Sequence, residues 1–409
     1  MADRLLRAAL VSDSHFDQSS RFAECIDLHD WIAEQLAAKR VDVLCHGGDL
    51  FERGSSPRER NAAAAWWRRC AQVCPGIMVR GNHDKLGDLH LLGLVETAHP
   101  VLVEESAGVH VYGRNNAGEY GWDLPELERP MLQVACLAWP RKSELLAAIE
   151  SSAHKSVEAS EQLAADALRD VLAGMGLQMD RAEELYGVRV PRLLLAHAMV
   201  TGSMTSTGQP LVGCDFEIGL PDLALARCDA VLLGHIHKGQ AWQLGDVPIV
   251  YPGSPRRTAY GEVEAKGFTL VDCYADGRVE LGFVEAPAQR MILLEASFDA
   301  DGFRCEQPSD DELEGADVRF RYSVDVENRD AAKLAAGEVR DDLKIRGAEV
   351  VKLEERVVQT VRARTAEIAE AKSTAAKLDL FWRVKGIEVS DAQRARVLDR
   401  LAQVERETA

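Results

Sequence analysis

Five short apolar runs of this chain stop on the same kind of residue. "LLRAALVSDSH" (residues 5–15), "VDVLCHGGD" (41–49), "GIMVRGNHD" (76–84), "PRLLLAH" (191–197) and "DAVLLGHIH" (229–237) all close on aspartate, asparagine or histidine. An apolar run of this length, bounded by turn chemistry, reads as a buried strand. In an open α/β sheet the loops at the carboxyl ends of the strands converge on one crevice. The runs therefore predict an α/β layered domain in which Asp13, His15, Asp49, Asn82, His83, Asp84, His197, His235 and His237 share one site. Alternate residues of extended backbone face the same side, so His235 and His237 reach it together, and Gly234 leaves room for another backbone to approach.

Helical patterns separate the runs. Residues 21–38 place Phe22, Cys25, Ile26, Ile32 and Leu36 on one stripe, and "SSPRE" starts a second helix with Ser56 as cap, Pro57 in the first turn and Glu59 closing a capping box. Residues 143–185, rich in Ala, Leu and Glu, read as inserted helices, and Asp276-Gly277 turns a hairpin. From about residue 288 the texture changes: "RMILLEASF", "DVRFRYSVDV" and "EVVKLEERV" read as strands and 331–347 as a helix. Two further helical stretches follow, at 361–381 and 390–406. A chain of 409 residues exceeds what one core usually supports. The expected division is 1–287, 288–358 (a small α+β domain) and 359–409 (helical).

Composition narrows the class. With 46% hydrophobic and 28% charged residues the chain is an ordinary folded protein. Its N-terminus lacks a signal-peptide core and no run approaches the roughly 18 apolar residues of a membrane span, so the expected location is cytoplasmic, with no membrane partner. Nine scattered cysteines without a CxxC pair read as reduced, small hydrophobes. A net charge of −18 argues against an isolated nucleic-acid binder, although bound divalent cations or a basic partner can reverse the field over a small patch. Carboxylate, amide and imidazole donors without thiolates suit Mn²⁺, Fe or Zn and argue against structural zinc.

The order D-x-H, G-D, G-N-H-D, H, G-H-x-H resembles the calcineurin-like metallophosphoesterase superfamily. Within it, "GGDLFERGSSPRER", "GQPLVGCDFEIG", "LGHIHKGQ" and "VYPGSPRRTAYGEVEAKGF" resemble the SbcD-type DNA repair nucleases over about residues 6–285. The resemblance implies a four-layer sandwich of two β-sheets flanked by helices for 1–287, a capping domain at 288–358 and a partner-binding helical region at 359–409. It implies two divalent ions, Mn²⁺ by family habit, with Asp13, His15 and His237 on one, Asn82, His197 and His235 on the other, and Asp49 bridging. Two ions about 3.5 to 4 Å apart can activate water and stabilise both the attacking and the leaving oxygen. His83 would then serve the leaving oxygen, with Asp84 orienting its ring.

By the same resemblance the protein would be a 3′-to-5′ exonuclease and single-strand endonuclease in double-strand-break repair, a homodimer bound to an SMC-like ABC ATPase subunit. The chain itself has no Walker A sequence. Arg53, Arg58, Lys85, Lys238, Arg256 and Arg257 flank the motifs and are candidates for DNA phosphate contacts. Two departures stand out: Glu52 where the family has Asp or His, which leaves its part in placing His83 open, and Phe16-Asp17 after the first histidine. His46 is the non-motif histidine nearest the site. "LDLFWRV" (378–384) either packs in its own domain or docks on a partner. The alternative functions are hydrolysis of small phosphate esters or cyclic nucleotides, and a scaffold with a vestigial site.

Overall fold

The structure, a computed structural model, describes residues 3–141, 157–206, 217–358, 371 and 373–407. Strands β1 (Arg4–Val11), β2 (Val43–His46), β3 (Gly76–Val79) and β4 (Val101–Glu104) pair in parallel, with helix α1 (Phe22–Ala38) between β1 and β2 and α2 (Pro57–Cys70) between β2 and β3. An antiparallel group follows, β5 (Ala107–Asn115), β6 (Tyr120–Trp122) and β7 (Leu127–Leu137). Helix α3 (Val157–Tyr186) leads to β8 (Arg192–His197), and the short β9 (Met199–Val200) and β10 (Glu217–Ile218) pair with each other. Then come β11 (Ala230–Gly234), β12 (Gln240–Leu244), β13 (Val247–Tyr251) and the hairpin β14 (Gly267–Tyr274) and β15 (Val279–Glu285), turned through Gly277 at φ 84°.

These strands form two main sheets, β15-β14-β1-β2-β3-β4 and β12-β13-β11-β8-β7-β5-β6. Side-chain parity explains why their sequences are continuously apolar. On β1 and β2, Ala8, Leu10 and Cys45 enter the cluster between the sheets with Val134, Leu195 and Leu232, while Ala9, Val11 and Leu44 face a second cluster with Ile32 and Leu36 of α1 and Trp66 and Trp67 of α2. On the other sheet Ala135, Leu194 and Leu233 pack with Leu172 and Met179 of α3. Strands buried on both faces lose the polar alternation of a half-exposed sheet. The architecture is the expected four-layer sandwich. Helix α2 starts as its sequence predicts, with the Ser56 hydroxyl accepting from the Glu59 amide and the Glu59 carboxylate accepting from the Ser56 amide.

The chain divides into two compact units, Met1–Leu293 with Pro308–Arg319 and Leu343–Lys352, and Leu294–Gln307 with Phe320–Asp342 and Leu353–Ala409. A third, four-stranded sheet has the order β17-β16-β18-β19, from β16 (Met291–Asp299), β17 (Gly302–Arg304), β18 (Asp317–Asp325) and β19 (Val350–Val358), with helix α4 (Arg329–Ile345) between the last two. The tail holds α5 (Thr374–Lys385), capped by Ser373, and α6 (Asp391–Glu407), tied together by Arg394 on Asp379 at 2.5 Å. Helix α5 starts later than its sequence suggests, and the rest of the expected 361–381 stretch lies largely outside the described residues, as do 142–156 of the expected insertion and most of "GQPLVGCDFEIG". No residue of α5 is buried; Phe381 and Val384 of "LDLFWRV" are exposed, so that cluster does not form a core. Among the described residues the cysteines are free, seven of them buried, and no helix is long and apolar enough to cross a membrane.

One ionic cluster, between β4 of the first main sheet and β5 of the second, gives the fold a pH signature. His110 on β5 donates through Nδ1 to Asp123 at 2.6 Å and through Nε2 to Glu104 at 3.1 Å. Burial opposes the imidazolium, but these two bonds outweigh it and raise His110 to about 9, and the bond from His110 lowers Glu104 to about 2. The raised histidine stabilises the fold fully below its unfolded value near 6.5 and loses that contribution as pH climbs through 9. The lowered glutamate contributes above its unfolded value near 4.5 and loses its share as pH falls through 2. His110→Gln should therefore lower Tm most between pH 5 and 6.5, with the deficit closing above pH 9, as thermal melts of both proteins across pH would show. A deficit that is constant with pH would refute the charge pairing.

Candidate metal centre

The two main sheets bring their carboxyl ends to one place. Asp13 and His15 follow β1, Asp49 follows β2, Asn82 and His83 follow β3, His197 ends β8, and His235 and His237 follow β11. Backbone bonds stitch the loops together: Asp13 donates to Gly48 O at 3.0 Å, His15 to Asp49 O at 3.1 Å and Phe16 to Leu50 O at 2.8 Å. Across the sheets the His235 amide meets both Asp13 oxygens at 3.1 Å. Asp13, His15 and Asp49 hold left-handed backbone, φ 54°, 45° and 52°. Such conformations in non-glycine residues cost about 1–3 kcal/mol each and persist only where the surroundings over-determine them. Two glycines make the approach possible. A Cβ at Gly81 would lie 2.0 Å from Asp49 Oδ1, and one at Gly234 would lie 2.1 Å from Gly47 O.

Among the described residues three groups of donors converge, one of them His15 with Glu52 and His83, and the other two hold the expected ligands. In the first, Asp13, His15 and His237 converge, with the Nε2 atoms of the two histidines 3.0 Å apart. In the second, Asp49, His197 and His235 converge, and Asn82 Oδ1 lies 2.9 Å from His197 Nε2 and 3.0 Å from His235 Nδ1. Asp49 Oδ2 is 3.4 Å from His197 Nε2 and 4.0 Å from His15 Nε2, so one carboxylate oxygen borders both clusters.

Three of the inward nitrogens, on His197, His15 and His237, are aimed by a contact on the far side of the ring. His197 Nδ1 donates to Gly47 O at 2.6 Å, and His15 Nδ1 faces the Glu52 carboxylate at 2.8 Å. His237 Nδ1 lies 2.9 Å from the Thr258 hydroxyl, which donates to Glu262, itself paired with buried Lys266 at 2.6 Å. Such outer bonds fix the tautomer and leave a lone pair for a cation. His235 is turned the other way, Nδ1 inward, with Trp139 tilted over its ring at 4.7 Å and its buried Nε2 without a protein partner among the described residues.

The field suits cations. Burial disfavours the Asp49 carboxylate, yet His197, His15 and His83 hold it well below the usual carboxylate range. Burial likewise disfavours a charge on His197, and Asp49 with Asp13 overrides it and pushes this imidazole up. Burial and the neighbouring His197 hold His235 down at about 4, neutral and able to coordinate. Imidazole nitrogens, carboxylates and an amide oxygen, with no thiolate, are a donor set for two divalent ions such as Mn²⁺, Fe or Zn.

His83 sits beside both clusters with its side chain 38% exposed. Its amide donates to Asp49 Oδ1 at 2.9 Å, and its Nδ1 donates to the backbone carbonyl of Glu52 at 2.7 Å. The expectation that Asp84 orients this ring is corrected. Asp84 is buried and accepts from the amides of Phe51 at 3.0 Å and Gly81 at 2.9 Å, so it staples the β2 and β3 loops while the Glu52 main chain sets the His83 ring. Glu52 thus holds His83 by its carbonyl and His15 by its carboxylate, and the substitution at this position keeps a structural task.

The basic candidates differ in what they present. Lys85 is exposed and Lys238 half-buried. Arg53 is exposed but bonds Asp17 at 3.1 Å and Ser19, so Asp17 anchors a cation at the rim. Arg58 lies over the Phe22 ring. Arg256 and Arg257 point inward instead of toward a phosphate: Arg256 is buried and donates to His15 O at 2.8 Å, and Arg257 donates to the carbonyls of Glu262, Glu264, Ala288 and Gln289. Trp139, Thr258 and Glu262 were not evident from the sequence because none follows a strand in a ligand motif; only the nearness of Thr258 and Glu262 to "GSPRR" marks them.

An α/β sandwich with this paired centre at its strand ends defines a metallophosphoesterase. The calcineurin-like phosphoesterase family model matches residues 6–131. The chain is 22% identical over 280 residues to the SbcD component of the nuclease SbcCD from Bacillus subtilis (strain 168), covering 65% of this chain and 66% of that one. It is 25% identical over 132 residues to the DNA double-strand break repair protein Mre11 of Methanosarcina mazei, covering 32% of this chain and 21% of that one. It thus spans just under two thirds of the first relative and about a fifth of the second. A solved dimetal phosphatase from Danio rerio aligns with a TM-score of 0.41 at 12% identity, covering 69% of this chain and 98% of that one. Over residues 6–131 the chain is a calcineurin-like phosphoesterase. Its distant homology is to the SbcD and Mre11 nucleases.

Proposed function

We propose that the protein is a two-metal DNA phosphodiesterase, a 3′-to-5′ exonuclease and single-strand endonuclease that acts in double-strand-break repair with an SMC-like ATPase, as a homodimer. The observation that carries this reading is His83: an exposed imidazole beside two buried donor clusters, held by the Glu52 carbonyl so that its Nε2 is free. Asp13, His15 and His237 would hold one ion, Asn82, His197 and His235 the other, and Asp49 both. The bound ions would supply Lewis acidity to water and to the phosphoryl oxygens. His83 Nε2 would hand a proton to the departing 3′-oxygen while Glu52 keeps the ring in place.

The 280-residue similarity to the SbcD component of that nuclease favours DNA over small esters. The exposed rim supports the same choice, since Asn82, His83 and Lys85 stand open to a polymer backbone. Lys85, Lys238 and the anchored Arg53 would meet its phosphates. Arg256 and Arg257 would act from within, by shaping the loops. Residues 288–358 would cap the nuclease domain of 1–287, and 359–409, with exposed Phe381 and Val384, would dock the ATPase. Hydrolysis of small phosphate esters or cyclic nucleotides is the second reading, favoured by the net charge of −18. Purified protein with Mn²⁺ should cut end-labelled single- and double-stranded DNA as well as a chromogenic phosphodiester. Activity confined to the small ester would select the second reading.

A further inference from the structure

Behind the two donor clusters runs a second polar construction that no ligand motif includes. Ser14 sits between Asp13 and His15, and its hydroxyl turns away from the site. It lies 2.9 Å from His46 Nε2 and 2.8 Å from His29 Nε2, and all three side chains are fully buried. The ends of the chain fix every hydrogen. His46 Nδ1 accepts from the Gly48 amide at 3.2 Å, so its proton is on Nε2 and goes to the Ser14 oxygen. His29 Nδ1 faces the Cys25 carbonyl at 2.6 Å, which only accepts, so its Nε2 must receive the Ser14 hydrogen. One assignment satisfies every partner: Gly48 to His46 to Ser14 to His29 to Cys25.

Apart from the Cys25 thiol, 3.7 Å from His29 Nδ1, aromatic rings surround these groups. Phe16 lies 4.4 Å and Trp66 4.8 Å from the His29 ring, and Trp66 and Trp67 lie 5.9 and 6.0 Å from the His46 ring. In so apolar a box a broken link strands a buried donor or acceptor, which makes the chain cooperative. Burial also presses both imidazoles to about 3, the neutral forms that the bond pattern demands. Its two outer ends matter most. One is helix α1, through Cys25 and His29; the other is Gly48, next to the shared carboxylate of Asp49. Between them the chain crosses the loop that carries Asp13 and His15, and both loops hold the left-handed residues described above.

We propose that Ser14, His46 and His29 are positioning residues, a hydrogen-bonded relay that fixes the Asp13/His15 loop and the Asp49 loop to helix α1 and so presets the spacing of the two ions. This rests on the dimetal reading. Ser14→Ala removes the central link, and calorimetric titration with Mn²⁺ should show affinity weakened about 10- to 100-fold, the usual size of an outer-shell defect. The spin-coupled EPR pattern of the two-ion form should change with it. His29→Leu, on helix α1 and not itself a donor, should weaken binding in the same direction, whereas His29→Gln, which restores an acceptor for the Ser14 hydroxyl, should recover most of it. That recovery separates positioning from general destabilisation, and the His29 pair carries the test should Ser14→Ala fail to fold. Ser14→Ala or His29→Leu protein that binds Mn²⁺ within twofold of wild type with an unaltered EPR pattern would overturn the relay. Wild-type protein that takes up fewer than two ions would instead sink the dimetal reading itself.

Discussion

His83→Ala should slow Mn²⁺-supported cleavage of DNA by about 10²- to 10⁴-fold, the range of a lost general acid, while both ions stay bound. The expectation follows from where the side chain points. Its Nδ1 is committed to the Glu52 carbonyl, and its ring stands edge-on to His15 at 5.1 Å. The link from residue 83 to the metal cluster is its amide on Asp49 Oδ1, which alanine keeps. The same ring does share a third convergence of donors with His15 and Glu52, so the rival role of ligand is real and testable. Leaving-group dependence decides between them. A nitrophenolate departs without a proton, so the deficit should shrink on a nitrophenyl phosphodiester and stay full on DNA, whose 3′-oxygen is a poor leaving group. Metal analysis of the dialysed variant completes the test: a missing ion would make His83 a ligand, and an equal deficit on both substrates would remove its acid role.

The site was legible because its chemistry lies in residue types that have few other reasons to end a buried strand. Five strand ends, read as such, bring Asp13, His15, Asp49, Asn82, His197, His235 and His237 into two adjoining clusters. Orientation within a loop was not legible. Asp84 adjoins His83 in the chain, but neighbours along a backbone need not share a side, and its carboxylate turns back to the Gly81 and Phe51 amides. Arg256 and Arg257 carry charge in a motif-rich segment, and sequence alone does not separate a guanidinium that caps carbonyls from one that meets phosphate. Ser14 was legible only as a spacer between two donors, since its task depends on His29 and His46 reaching it from other elements. In the stretch from β4 to β7, Tyr112, Trp122, Leu132, Val134 and Cys136 pack between the sheets, but the glycines and polar residues around them obscure the period.

Asp49→Asn should empty both halves of the centre, leaving fewer than one ion per chain and hydrolysis at background. The substitution preserves shape, so it isolates charge. Asparagine can still accept the His83 amide through one oxygen, as Asp49 Oδ1 does at 2.9 Å. What it cannot do is share an anionic oxygen between the clusters. At the place of Oδ2, 3.4 Å from His197 and 4.0 Å from His15, it would present either an amide nitrogen, which has no lone pair to donate, or a neutral oxygen. The metal-free fold feels the same change. The Asp49 carboxylate is one of two that hold the buried His197 imidazole in its raised state, so the variant should lower the pKa of His197, an NMR-observable shift that needs no ion at all. Two coupled readouts, metal stoichiometry and the His197 titration, then report on one oxygen. Retention of two ions by Asp49→Asn would mean that the clusters bind independently, and the bridging role would have to be abandoned.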